Sequence, residues 1–295
     1  MTITGPEVPV IASVKDLGSR YSAWLVDIWG VMHNGHRAFA PAVEATRAFR
    51  EQGGIVVFLS NSPRPSPGVQ EQLSRLGVPP SSYDATVTSG DLTRHELRKH
   101  HHPRVYHLGP ERDLPIFAGL SVTLIPRKEA ELIVCSGLFD DETETPRDYV
   151  GLLTELAARN LPMICANPDH LVERGHKLVY CAGALAAIYE KEGGSVIYAG
   201  KPHAPIYKLA HETIAQIAGR AVPKSEILAI GDGVHTDIAG AEGFGVDAVF
   251  VASGLHVPAN SGGEAGAEAL DRVHLAELFG QGKRRPLAAM RALDW

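Results

Sequence analysis

Several features that mark particular classes of protein are scarce in this chain. Its three cysteines are too few and too scattered for a disulfide framework or a zinc site. No apolar run approaches the roughly 18 residues that span a bilayer, and the N-terminal residues lack both a basic start and a long apolar stretch. Lys and Arg total 28 against 34 Asp and Glu, so the basic excess of nucleic-acid binders is missing. These absences predict a soluble, cytoplasmic protein that binds neither nucleic acid nor membrane.

The composition that remains is that of an ordinary globular protein. Hydrophobic residues make up 44% and charged residues 21%, which excludes a disordered or fibrous chain. At about 150 residues per domain, a length of 295 residues predicts about two domains.

Short apolar runs alternate with longer amphipathic ones along most of the chain. This alternation is typical of α/β layers whose strands pair mainly in parallel. The runs that predict strands are Ala23–Ile28, Ile55–Ser60, Arg104–Leu108, Leu132–Cys135, Pro162–Ala166, Ser195–Tyr198, Ile227–Gly231 and Ala248–Val251. The stretches that predict helices are Pro41–Gln52, Gly68–Leu76, Gly90–Lys99, Arg147–Arg159, Gly183–Glu192, Pro205–Ala218, Thr236–Gly243 and Leu270–Phe279. The sequence therefore predicts an α/β fold.

Two segments rich in turn-forming residues predict the domain boundaries. Gly77–Tyr83 (GVPPSSY) and Glu192–Ser195 (EGGS) have the composition of hinges. We interpret residues 83–195 as an inserted α/β domain with its own small sheet. Residues 1–82 and 196–295 would then form one discontinuous core.

Polar side chains follow four apolar runs, at the point where each predicted strand ends. They are Asp27 in LVDIWGV, Ser60 and Asn61 in LSNS, Lys201 in AGKP, and Asp232 with Asp237 in GDGVHTD. Open α/β sheets bind ligands outside the carboxyl ends of their strands, and an acidic pair suits a hard cation. Taken singly, Asp27 could cap a strand, Lys201 could be a surface charge and Asp237 could begin a helix. Together, and in this order, they are hard to explain as coincidences.

The order of these motifs resembles that of the haloacid dehalogenase (HAD) superfamily, whose members mostly hydrolyse phosphate esters through an aspartyl-phosphate. The insertion between the second and third motifs matches the position of the large α/β cap of that superfamily. Within it, TSGDLT, CANPDH and CAGA resemble the class IIA, NagD-like sugar and nucleotide phosphatases. The resemblance implies a Rossmann-like HAD core with a mainly parallel sheet and an inserted α/β cap.

The resemblance implies a role in phosphoryl transfer for each motif. Asp27 would be the nucleophile, forming a covalent intermediate that water later cleaves. Ser60, Asn61 and Lys201 would bind the phosphate, and Lys201 would also limit charge repulsion around Asp27. The substrate would be a small phosphorylated metabolite, such as a sugar phosphate or a nucleotide, that is selected by closure of the cap.

A Mg²⁺ cofactor is implied by the same resemblance. Asp27, Asp232 and the backbone carbonyl of Trp29 would be its ligands. Asp237 would hold the metal-bound waters or Lys201 without touching the metal.

Trp29 departs from the pattern of the phosphatases in this family. They usually have a second Asp two residues after the nucleophile, which protonates the leaving alcohol and activates water. An indole exchanges no proton near neutral pH, and general acid–base assistance is worth about 10²–10⁴ in rate. Three interpretations stay open. Another group, such as His33 or a cap residue, is the acid; or the natural leaving group needs little protonation; or catalysis is residual.

Two other functions fit part of the pattern. An aromatic residue at position 29 also resembles the dehalogenases themselves, which need no acid because halide leaves unprotonated, and this predicts a metal-independent hydrolase that uses Asp27. The acidic pair argues against it, since those enzymes work without Mg²⁺. The non-enzyme alternative is a phosphometabolite-binding protein with little turnover because of Trp29.

A few further residues complete the set of expectations. Asn167 and Asp169 in NPDH resemble the substrate-facing loop of the class IIA cap. The run His100–His102 predicts a solvated helix end, because consecutive residues do not share a helix face. The basic C-terminal stretch KRRPLAAMR predicts a solvated face without a partner, and a homodimer is one oligomeric state to test.

Overall fold

The structure is a computed structural model that describes residues 8–17, 20–174, 177–252, 272–280 and 285–295, apart from the side chains of residues 173 and 272–274. Its strands are β1 (Ala23–Asp27), β2 (Ile55–Ser60), β3 (Ala85–Thr88), β4 (Arg104–Leu108), β5 (Thr123–Leu124), β6 (Leu132–Cys135), β7 (Pro162–Cys165), β8 (Leu171–Arg174), β9 (Lys177–Tyr180), β10 (Ser195–Tyr198), β11 (Ile227–Gly231), β12 (Asp247–Val251) and β13 (Ala288–Met290). Its α-helices are α1 (Ala40–Glu51), α2 (Ser66–Leu76), α3 (Ser89–Leu97), α4 (Val150–Ala157), α5 (Ala182–Lys191), α6 (Ala204–Ala218), α7 (Ala239–Phe244) and α8 (Arg272–Phe279). None of the helices in these ranges is long and apolar enough to cross a membrane.

The first sheet has six strands within the described ranges, in the order β13-β12-β11-β1-β2-β3. The pairs from β13 to β2 are parallel, and Ala23 of β1 lies opposite Ile227 of β11 and Ile55 of β2. Every residue of β1 and of β11 is buried. Central parallel strands are covered on both faces, which is why they occur in the sequence as continuous apolar runs.

A second, five-stranded sheet of the described chain has the order β10-β7-β6-β4-β5, and all of its pairs are parallel. Helices α4 and α5 supply Leu153, Leu156, Leu185 and Tyr189 to the core beneath it. Strands β8 and β9 form a separate antiparallel hairpin that follows the NPDH segment. The predicted α/β fold with mainly parallel pairing is confirmed.

The chain divides into two compact units. Unit 1 contains Met1–Leu59, Leu73–Ala85 and Ala210–Trp295, and unit 2 contains Ser60–Gln72 and Thr86–Leu209. These bounds are not those of the predicted insertion, and β3, which follows residue 83, pairs in the first sheet. The insertion at residues 83–195 stays a prediction.

The interpretation of KRRPLAAMR as a solvated face is wrong for its apolar part; Arg291 is exposed, and Lys283 and Arg284 lie outside the described residues. Ala288–Met290 are buried and form β13, which pairs in parallel with β12 at the end of the first sheet. This strand is not predicted from the sequence because the apolar segment is short and basic residues flank it. The N-terminal segment runs along the same strand, since Ile11 N–H donates to the carbonyl of Ala289.

Candidate active site

Three of the predicted residues, all in unit 1, form a group of carboxylates. Asp27 ends β1, Asp232 follows the adjacent strand β11, and Asp237 lies in the next turn of the chain. One ligand oxygen from each lies within 4.8 Å of the others, and all three residues are buried. Buried carboxylates at such distances repel one another, and a hard divalent cation, which prefers oxygen ligands, offsets the repulsion. The donor set therefore fits the predicted Mg²⁺.

Gly30 leaves the space that Asp232 occupies. Its φ is +85°, a left-handed conformation that L residues rarely adopt. A Cβ on Gly30 would lie 2.8 Å from the carboxyl carbon of Asp232 and closer still to Oδ2. The glycine therefore serves both the turn after β1 and the position of a carboxylate in the group.

Asp237 lies in a π-helical turn, Val234–Ile238, rather than at the start of the predicted α-helix. The N–H groups of Asp237 and Ile238 both donate to the carbonyl of Gly233, at 2.8 and 3.0 Å. Asp237 Oδ2 accepts the N–H of Gly233 at 3.1 Å and the hydroxyl of Thr236 at 3.3 Å. Turns of this kind are frequent at functional sites. The bonds fix the direction of the carboxylate, as a residue that supports a metal site requires.

Trp29, His33 and Gly35 pack together in the loop after β1. The imidazole of His33 and the indole pack in a T-shaped arrangement, with ring centroids 5.1 Å apart. Gly35 has a φ of +86°, and a Cβ there would lie 2.7 Å from Cη2 of the indole. The loop is thus built around the Trp29 side chain.

His33 is held as a neutral side chain in this loop. Its Nδ1 accepts the N–H of Gly35 at 3.0 Å, which places the imidazole proton on Nε2. The residue is 2% exposed, and this burial lowers the pKa of His33 to about 4. A protonated His33 at neutral pH is therefore disfavoured.

In unit 2, the side-chain amide of Asn61 holds the backbone of Lys201. Asn61 Oδ1 accepts the Lys201 N–H at 2.7 Å, and Asn61 Nδ2 donates to the Lys201 carbonyl at 3.1 Å and to Asp169 Oδ1 at 2.9 Å. Both donors of the amide are used within the protein, so the Asn61 side chain positions its neighbours. Lys201 is 2% exposed, which rules out the alternative of a surface charge.

The remaining predicted residues also lie in unit 2 and are held by nearby backbone groups. Ser60 ends β2 and is buried, and its hydroxyl accepts the N–H of Ser62 at 3.2 Å. Asn167 Oδ1 accepts the N–H of Asp169 at 3.0 Å. The carbonyl of Asp169 accepts the N–H of Gly183 in the first turn of α5, at 3.1 Å. The NPDH loop is therefore fixed against the beginning of a helix.

Gly183 and Ser89 are site residues that sequence reasoning missed. A Cβ on Gly183 would lie 2.6 Å from the carbonyl oxygen of Asp169, so only glycine allows this approach. The hydroxyl of Ser89 donates to Asn61 Oδ1 at 3.4 Å. Both residues occur in the CAGA and TSGDLT stretches that carried the resemblance, but the stretches give no sign of what these residues contact.

The predicted site residues thus form two groups, one in each unit. Unit 1 holds Asp27, Trp29, His33, Asp232 and Asp237, and unit 2 holds Ser60, Asn61, Asn167, Asp169 and Lys201. The convergence of the two groups on one substrate stays a prediction. The run His100–His102 is exposed, as predicted.

Two family models match the chain. The one described as haloacid dehalogenase-like hydrolase matches residues 24–122, and the one described as HAD-hydrolase-like matches residues 198–276. The first match contains Asp27 and Ser60, and the second contains Lys201 and the acidic pair. Both therefore match the stretches that carry the predicted motifs.

Relatives with known names agree with these matches. A hydrolase of the haloacid dehalogenase-like family from Brucella suis 1330 is 46% identical, with a TM-score of 0.83 over 96% of this chain and 100% of that one. A possible sugar phosphatase of the HAD superfamily from Cytophaga hutchinsonii shares the fold, with 21% identity and a TM-score of 0.76 over 96% and 98% of the two chains. The 5′-nucleotidase YutF of Bacillus subtilis is 25% identical over 238 residues, which are 80% of this chain and 88% of that protein. The predicted family is confirmed, and this chain belongs to the haloacid dehalogenase-like hydrolases.

Proposed function

We propose that the chain hydrolyses a small phosphate monoester through an aspartyl-phosphate on Asp27, with Mg²⁺ as cofactor. The observation that carries the proposal is the group of Asp27, Asp232 and Asp237, whose ligand oxygens lie within 4.8 Å in a member of a hydrolase family. The names of two relatives support it, since '5′-nucleotidase' and 'possible sugar phosphatase' both denote hydrolysis of phosphate monoesters.

Asp27 takes part in both halves of the reaction. One of its carboxylate oxygens bonds to phosphorus while the bond from phosphorus to the leaving oxygen breaks, and the bonding electron pair stays on that oxygen. Water then bonds to phosphorus, and the bond to Asp27 breaks to restore the carboxylate. The sum is one ester and one water converted to one alcohol and one phosphate.

Two of the carboxylates would hold the metal together with the backbone carbonyl of Trp29. When bound, Mg²⁺ offsets the repulsion between an anionic phosphate and an anionic nucleophile. Asp27 and Asp232 would touch it. Asp237, which its own hydrogen bonds orient, would support them.

Ser60 and Lys201 would bind the phosphoryl oxygens, and Asn61 would position Lys201. The amide of Asn61 binds both the N–H and the carbonyl of Lys201, which limits where the ammonium group can go. Asn167 and Asp169 would face the rest of the substrate, in the manner of a NagD-like cap loop. Donors that are fixed before the reaction stabilise developing charge without reorganisation.

The two alternative functions differ in the role that they give to the three carboxylates of Asp27, Asp232 and Asp237. A dehalogenase that uses Asp27 without metal has no need for Asp232 and Asp237, because halide displacement creates no anionic phosphorus centre. A phosphometabolite-binding protein would keep the metal and the phosphate residues but would release no phosphate. The acidic group therefore favours phosphoryl chemistry, and turnover separates an enzyme from a binding protein.

The test is release of inorganic phosphate from a panel of sugar phosphates, nucleotides and aryl phosphates, with Mg²⁺ or with EDTA. We expect Mg²⁺-dependent turnover that Asp27→Asn abolishes. The matched control is Glu212→Gln, which makes the same change of charge on the exposed face of α6 and should leave turnover unchanged. Halide release without metal would favour the dehalogenase. Binding of phosphate esters without turnover would favour the binding protein.

A further inference from the structure

We propose that Trp29 restricts the enzyme to phosphate compounds whose leaving oxygen departs without a proton, namely acyl, enol and aryl phosphates. The inference rests on the proposed function and names its substrate class. It starts from the geometry of the loop after β1, which places an indole two residues after the nucleophile and holds it there.

The leaving group decides whether a proton is needed. When the bond between phosphorus and the leaving oxygen breaks, the electron pair stays on that oxygen. An alkoxide is strongly basic, so its departure requires that an acid deliver a proton in the same step. A carboxylate, an enolate or a phenolate is a stable anion in water and leaves unprotonated. An indole at position 29, where the phosphatases of this family usually have an acid, therefore favours the second class.

A small movement of the loop cannot bring an acidic side chain into the place of the Trp29 indole. The indole is packed against the backbone of Gly35, where a Cβ would lie 2.7 Å from the ring. Gly30 N–H donates to the carbonyl of His33 at 2.9 Å, which closes the loop on itself. An indole is only a hydrogen-bond donor and does not give up its proton at neutral pH.

The imidazole beside Trp29 is already engaged. Nδ1 of His33 accepts the N–H of Gly35 at 3.0 Å, and the residue is 2% exposed. The imidazole and the indole pack in a T-shaped arrangement with their centroids 5.1 Å apart, which is the contact of a packing residue. His33 therefore shapes the site of Trp29 and does not replace the missing carboxylic acid.

The second half of the reaction, hydrolysis of the aspartyl-phosphate, also lacks the proton-transfer group usually found at position 29. Water that attacks the aspartyl-phosphate must lose a proton, and the residue that usually takes it in this family is the one that Trp29 replaces. This step is common to all substrates, because the leaving group has already departed. For the best leaving groups we expect a burst of product equal to the enzyme concentration, followed by slower turnover that is independent of the leaving group.

The experiment measures kcat/KM for substituted phenyl phosphates of graded leaving-group basicity, for acetyl phosphate and for glycerol phosphate. In the wild-type enzyme, kcat/KM should fall steeply as the leaving oxygen becomes more basic. Trp29→Asp should raise kcat/KM for glycerol phosphate by about 10²–10⁴, the usual range for general acid catalysis. Trp29→Asn is the matched control, since Asn has nearly the same size and shape as Asp but no carboxyl group that can donate a proton, and it should give no such increase.

The outcomes separate this inference from the proposed function. Turnover of glycerol phosphate as fast as that of acetyl phosphate would mean that another acid serves the site. That result would overturn the inference while leaving the phosphatase in place. An equal gain in Trp29→Asn would also overturn it, because the effect would then come from space and not from a proton. If no phosphate compound is turned over, the proposed function fails first. The wild-type series decides the question even if neither variant folds.

Discussion

Gly30 and Gly53 provide a matched pair for testing the metal site. Both have left-handed backbone, with φ of +85° and +88°. Alanine at either position should cost about 1–2 kcal/mol for that conformation. The surroundings differ, because a Cβ at Gly53 would meet nothing within 4 Å, whereas a Cβ at Gly30 would lie 2.8 Å from the carboxyl carbon of Asp232. Only Gly30→Ala should therefore force Asp232 away from Asp27 and Asp237.

The assay is thermal unfolding with and without Mg²⁺. A ligand at about 100 times its Kd stabilises the folded state by about 2.7 kcal/mol, which raises Tm by several degrees in a protein of this size. We expect this increase in the wild type and in Gly53→Ala, and its loss in Gly30→Ala together with phosphatase activity. If Gly30→Ala gained as much stability from Mg²⁺ as the wild type, the inference that Gly30 holds Asp232 in the metal site would be refuted.

Three further predictions concern unit 2. Asn61→Asp removes the donor to the buried carbonyl of Lys201, so unfolding in urea should show a loss of about 1–3 kcal/mol, and an unchanged midpoint would contradict this account. Gly183→Ala should raise KM by displacing the NPDH loop, whereas Gly151→Ala, which meets nothing within 4 Å in α4, should stabilise the protein by roughly 0.5–1 kcal/mol and leave KM unchanged. Burial lowers the pKa of His107 from 6.5 to about 4, so on acidification through that window the unfolded chain binds a proton that the folded chain does not, and stability falls. His107→Gln should reduce the slope of stability against pH there, and an unchanged slope would count against this assignment.

The central strands could be predicted because strands that are buried on both faces occur in the sequence as continuous apolar runs. The run Ile227–Gly231 is β11 to the residue, and Ile55–Ser60 is β2 to the residue. The polar residues that follow such runs could also be predicted, since parallel strands bring their carboxyl ends to one edge. Asp27 and Asp232 came together for this reason.

The short edge strands could not be predicted in this way. The two residues of β5 are exposed, and the apolar segment that contains β13 is short and lies beside a basic stretch, so neither strand is marked by a long apolar run. Their pairing depends on strands elsewhere in the chain, and β propensity depends on such context. The amide of Asn61 is a similar case, because its bonds to Lys201 join positions 140 residues apart and no local pattern records them.

The order of strands in the first sheet has a consequence for synthesis on the ribosome. β1 pairs with β11, and about 200 residues separate Ala23 from its partner Ile227. At about 5–20 residues per second, the side of β1 that faces β11 waits roughly 10–40 s for its partner to be translated. Throughout that interval the backbone N–H and C=O groups on this side of β1 lack their strand partner, and its residues Ala23–Val26 are apolar. Such an edge is a template for aggregation. We therefore expect the yield of folded protein to improve when a chaperone that binds nascent chains is supplied during synthesis.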